Sequence, residues 1–157
     1  MKGTDQMDAS EIIRAFGEKL GIGLEFDADN VCSFEADGMI VTIHNLREID
    51  TIAITGDIGE PPPWNMESLY RSMLEANYLF KDTFGATISF NAESGRFALC
   101  RALSCKALDG ESFFSAVERF VSTLEIWTRI VRDYRGGDPK DDGEKIPIPG
   151  AEGFLRV

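Results

Sequence analysis

His44 is the single histidine of the chain, so any Ser-His-Asp or Cys-His arrangement would have to be built around it. It follows Ile43 in a stretch that reads as a strand, with no partners in view, and a structural or surface role is expected. The three cysteines, Cys32, Cys100 and Cys105, are odd in number and form no CxxC pair, which argues against a disulfide framework or a zinc site. Cys100 and Cys105 have no evident base or helix start to activate them, and they read as small buried hydrophobes. Asp27-Ala28-Asp29-Asn30 opens like a calcium loop, but Cys32 and Gly38 stand where the loop's glycine and closing glutamate belong. Gly17, Gly21 and Gly23 do not make a dinucleotide fingerprint, and no Walker sequence is present. No carboxylate pair stands out. The residues therefore predict a protein that is not an enzyme and carries no metal or cofactor.

The 157 residues suffice for one domain with one core, and 43% apolar with 27% charged residues is an ordinary globular composition. A formal charge of -11 repels phosphate backbones, so neither nucleic acid nor membrane insertion is expected. Such acidity either simply maintains solubility or suits a carrier that holds a sticky client in solution. No apolar run reaches 18 residues, and Met1-Lys2-Gly3-Thr4-Asp5 lacks a signal-peptide core. A reducing cytoplasmic location is expected.

The elements follow from periodicity and punctuation. Residues 1–7 read as a flexible lead-in. Asp8-x-x-Glu11 resembles a capping box, and Ile12, Ile13, Phe16 and Leu20 recur at helical spacing until Gly21 and Gly23, predicting a helix over 9–20. Strands are expected at 24–26, 31–35, 39–44 and 50–55, with Asp37-Gly38 as a tight hairpin turn. Pro61-Pro62-Pro63 must lie in a loop. Asn65 is an N-cap candidate for a second helix to about Phe80, with Trp64 and Leu69 placed as a hydrophobic staple. Two further strands, 86–90 and 97–103, flank a hairpin loop. A third helix starts at Asp109 and carries Phe113, Val117, Phe120, Val121, Leu124, Trp127, Val131 and Tyr134. Residues 8–135 form the domain and 136–157 a Gly-, Pro- and charge-rich tail. The predicted fold is α+β, a twisted antiparallel sheet with helices packed on it, in the order α-β-β-β-β-α-β-β-α.

The second helix carries more apolar surface than one sheet can cover. Met66, Leu69, Met73, Phe80 and the pair Leu74 and Tyr78, with Tyr70, Ala76 and Leu79, wrap most of its circumference, which requires cover on a second side. A second copy of the chain, related by a two-fold axis, is the expected cover, with the third helix as the alternative. Apolar residues also concentrate at Ile13, Phe16, Leu20, Leu24, Phe26 and Phe34. Any left exposed beside a free sheet edge would form a groove for an extended segment.

Several stretches together resemble the class I type III secretion chaperones of the Tir chaperone, CesT-like, family. These are Phe16-Gly17-Glu18-Lys19-Leu20-Gly21-Ile22 closing the first helix, Asn30-Val31-Cys32-Ser33-Phe34, Leu74-Glu75-Ala76-Asn77-Tyr78-Leu79-Phe80, the hairpin through Gly95 and the long last helix. The resemblance covers about residues 8–135. It implies a cytoplasmic homodimer without ATPase activity, serving virulence by binding the N-terminal region of a secreted effector in extended form and presenting it to the secretion machinery, whose ATPase is a further candidate partner. It also implies a dimer interface at Leu69, Met73, Asn77 and Ile88, and partner-binding residues at Ile13, Phe16, Leu24, Phe26, Phe34 and Ile40. The stiff Pro61-Pro62-Pro63 loop and the long tail depart from the family pattern. A YbjN-like regulatory domain, which would bind a folded partner and no extended client, is the alternative.

Overall fold

A computed structural model describes residues 7–136. The expected lead-in 1–7 and tail 136–157 lie, apart from Met7 and Gly136, outside the described residues. Helix α1 spans Ala9–Leu20. Strands β1 (Val31–Ala36), β2 (Met39–Leu46) and β3 (Thr51–Gly59) follow, then α2 (Met66–Asn77), β4 (Thr87–Asn91), β5 (Arg96–Ser104) and α3 (Gly110–Asp133). All strand pairs are antiparallel, in the order β1-β2-β3-β5-β4. The fold is thus the expected α+β arrangement, with three helices and a five-stranded sheet.

Local signals account for most boundaries. Asp8 Oδ1 accepts from Glu11 N at 2.9 Å and Glu11 Oε2 accepts from Asp8 N at 2.8 Å, a complete capping box, while Gly21 ends α1 in the left-handed region. Asp37 and Gly38 both have positive φ, as a two-residue hairpin turn requires. Asp109 and Ser112 cap α3 in the same reciprocal way.

Two local expectations are corrected. Residues 24–26 form no strand, so three strands, not four, precede α2. This segment is held instead by the end of α1: Ile22 N donates to Gly17 O at 3.0 Å, and a Cβ on Gly17 would stand 2.7 Å from Ile22 O and 3.0 Å from Leu24 N. Asn65 occupies the N-cap position of α2 but makes no side-chain cap. Its side-chain amide donates to Gly136 O and its backbone carbonyl accepts from the Tyr134 hydroxyl, so it ties the end of α3 to the start of α2.

One face of the sheet carries the core. Val41, Ile43, Ile52, Ile54, Phe97 and Leu99 are buried with Phe113, Phe120, Leu124 and Trp127 of α3. Gly56 marks the closest approach: a Cβ there would meet Leu124 Cδ2 at 2.4 Å. The opposite face bears smaller polar groups in register, Ser33 opposite Thr42, Thr42 opposite Thr55 and Thr55 opposite Cys100.

Candidate binding surfaces

The chemistry-bearing side chains serve the fold. Asp27 Oδ1 accepts from Asp29 N and Val31 N, so the loop that opens like a calcium site closes a turn on itself. His44 is half-buried on the open face of β2, 3.0 Å from Thr55 Oγ1, and burial lowers its pKa. Burial, with a smaller contribution from Asp27, pushes the Cys32 thiol up to about 11. Burial also raises that of Cys105, helped by Asp50. Neither thiol is poised as a nucleophile. Among the described residues no helix is long and apolar enough to cross a membrane.

The first surface is the β1 edge. In an antiparallel ladder alternate residues turn their backbone groups outward. Asn45 N donates to Asn30 O inside the ladder, whereas Val31 N and O are bound outward by Asp27. Ser33 and Glu35 share the parity of Val31, so their N–H and C=O groups face the unpaired side. Beside this edge, Phe34 and Phe26 are half-buried against the core and Phe34 meets Phe16 edge-on at 5.4 Å. Leu20 and Ile22, at the end of α1, are exposed, and Lys19 Nζ lies 4.2 Å over the Phe114 ring.

The six expected partner-binding residues do not form one surface. Ile13, Phe16 and Leu24 are core residues, Phe16 only 1% exposed between Phe34, Phe113 and Phe114. Phe26 and Phe34 remain at the edge. Ile40 is 59% exposed, opposite Glu35 on the other face of the sheet from Phe34. Leu20 and Ile22, where α1 gives way to the segment leading to Phe26, are exposed instead. Ile22 falls beyond the break at Gly21 and so leaves the buried stripe of α1, whereas Leu20 keeps that stripe's spacing and only the structure shows it exposed.

The second surface is the outer side of α2. Leu69, Met73 and Ala76 point into the chain's own core, Met73 at 5% exposure. Asn77 is bonded through its side-chain amide to the backbone of Ile88, itself buried. The stripe left open is Tyr70, Leu74 and Tyr78, the last two 69% and 72% exposed. Leu79 and Phe80 continue it, both with positive φ, which turns the chain sharply after α2 and leaves their side chains outside. Phe90 of edge strand β4 is exposed on the same side, its ring 5.9 Å from Phe97, which Tyr70 meets at 6.0 Å. Spacing alone showed that apolar residues wrap most of α2 but not which side the sheet would take.

Helices on one face of a five-stranded antiparallel sheet, an edge lined by aromatics and unpaired among the described residues, and an apolar outer helix define a protein-binding module. The sequence matches, over residues 11–128, the family described as Tir chaperone protein (CesT). The chain belongs to that family. Solved structures of similar fold include a chain of the ExsC–ExsE complex, with TM-score 0.66 and 18% identity over 80% of this chain and 97% of that one. The HopA1–SchA chaperone–effector complex gives 0.61 and 17% over 78% and 91%. The Yersinia pestis type III secretion chaperone SycH, in complex with a stable fragment of YscM2, gives 0.61 and 14% over 74% and 96%. No curated protein is similar enough in sequence to match.

Proposed function

We propose that the chain is a type III secretion chaperone, without catalytic activity, that binds the N-terminal region of a secreted effector in extended form and keeps it soluble for delivery to the secretion apparatus. The open β1 edge beside Phe26 and Phe34 carries this reading. An extended segment can satisfy the outward backbone groups of Ser33 and Glu35 while setting apolar side chains against Phe34, Phe26, Ile22 and Leu20. Membership of the Tir chaperone family and the chaperone–effector complexes among the similar structures support it. Two copies meet through Tyr70, Leu74 and Tyr78, the apolar stripe that the chain's own sheet leaves uncovered.

Co-expression with N-terminal fragments of effectors encoded nearby, followed by light scattering, tests the reading. The expected product is a soluble complex of two copies with one fragment. Ser33→Pro removes an outward N–H at an edge position where proline is tolerated, and should abolish capture while the chain stays folded. A folded chain that captures no effector fragment, or a Ser33→Pro variant that captures one as well as the parent, would overturn the proposed site.

A further inference from the structure

We propose that residues 146–149 of the same chain, Ile146-Pro147-Ile148-Pro149, dock on the outer face of α2 and compete there with the second copy. This rests on the reading of that face as the self-association surface and adds an intramolecular occupant. The face is rich in aromatics: Tyr70 and Tyr78 lie along it with Leu74 between them, and Trp64 stands half-exposed just before the helix. Alternating prolines disfavour helix and remove ladder donors, so Ile-Pro-Ile-Pro suits an extended polyproline conformation, the ligand that aromatic-lined grooves take at low entropic cost.

The place where the described chain ends makes the encounter local. Gly136 is fastened to the start of α2 by the Asn65 amide, and a Cβ on it would stand 3.1 Å from Trp64 Cδ1. Between Gly136 and Ile146 lie the nine residues 137–145. Nine residues can reach at most about 30 Å, more than the about 18 Å length of the twelve-residue α2, so the segment can reach any part of that face. Tethering through so short a stretch gives an effective concentration in the millimolar range. A weak apolar contact is then populated, and a second copy must displace it.

The test uses the full chain and its Ile146→Ser/Ile148→Ser variant, whose substitutions lie outside the described residues. In the variant, amides of α2 should exchange faster in dilute solution, and Trp64 emission should shift to the red against the constant background of buried Trp127. Self-association, followed by sedimentation, should tighten about tenfold as the competitor is removed. Identical exchange and emission in both chains would overturn the proposal. If α2 protection rises with protein concentration equally in both, the second copy alone covers the face, and the proposal fails while the dimer stands. If both chains stay monomeric but only the parent protects α2, the tail contact is supported and the dimer reading fails.

Discussion

Asn77 and Ile88 are joined by two hydrogen bonds: the Asn77 amide donates to Ile88 O at 3.2 Å, and its carbonyl oxygen accepts from Ile88 N at 2.8 Å. One side chain thus imitates a neighbouring strand at the outer edge of β4, and locks the end of α2 to it. The two sheet edges differ as a result. β4 is blocked near its start, at Ile88, while β1 offers Ser33 and Glu35.

Asn77→Ala removes both partners of a partly buried backbone pair. The expected loss of stability in chemical denaturation is about 1–3 kcal/mol, with the Ile88 amide exchanging faster than its neighbours. An Ile88 amide as protected as in the parent would show that the two bonds do not hold this edge.

Replacing glycine by alanine inside a helix ordinarily stabilises by about 1 kcal/mol. At Gly17 the sign reverses, because the new Cβ meets the Ile22 carbonyl at 2.7 Å and the Leu24 amide at 3.0 Å. Gly17→Ala should destabilise by about 1–3 kcal/mol and loosen the 22–26 segment beside the β1 edge. A variant with a raised melting temperature would contradict the close packing of that segment.

Leu74→Glu and Met73→Glu are neighbours with opposite consequences. Leu74 is exposed, so its charge stays solvated: the fold should survive and self-association should fail. Met73 is buried, and an unpaired carboxylate there should destabilise the fold by several kcal/mol, on the order of 3 or more. Circular dichroism and sedimentation on both variants separate the two effects. A dimer unaffected by Leu74→Glu would remove the outer stripe from the interface.

His44 adds an acid dependence. Burial lowers its folded pKa, so the neutral ring is favoured in the native state. Above the unfolded value, about 6.5, both states are neutral and stability is full. As pH falls through that value the unfolded chain takes up the proton more readily, and stability declines down to the folded pKa. His44→Gln should lose less stability than the parent between pH 7.5 and pH 5.5 (roughly one unit either side of the unfolded value) in paired denaturation curves. Parallel curves would show that the ring does not contribute.

Much of this protein is local, and the sequence determined it by itself. Asp8 and Glu11 mark the start of α1 because a capping box is a contact between residues three apart. Gly21 ends that helix through its own backbone freedom, and Asp37-Gly38 turns the hairpin for the same reason. The long stripe from Phe113 to Tyr134 declares α3, and the Tir chaperone family is legible in the order of such short stretches. What only the tertiary structure decided is non-local. Residues 24–26 carry strand-like side chains, but no neighbouring strand lies within reach once Gly17 admits their backbone against α1. Periodicity wraps most of α2 in apolar residues. Which side is core and which is surface depends on where β4 and β5 lie, and Asn77 sets that placement by bonding Ile88 across eleven residues. Exposure is a property of the assembled layers, so the same sequence that names Ile13, Phe16 and Met73 as apolar cannot by itself separate them from Ile22, Leu74 and Tyr78.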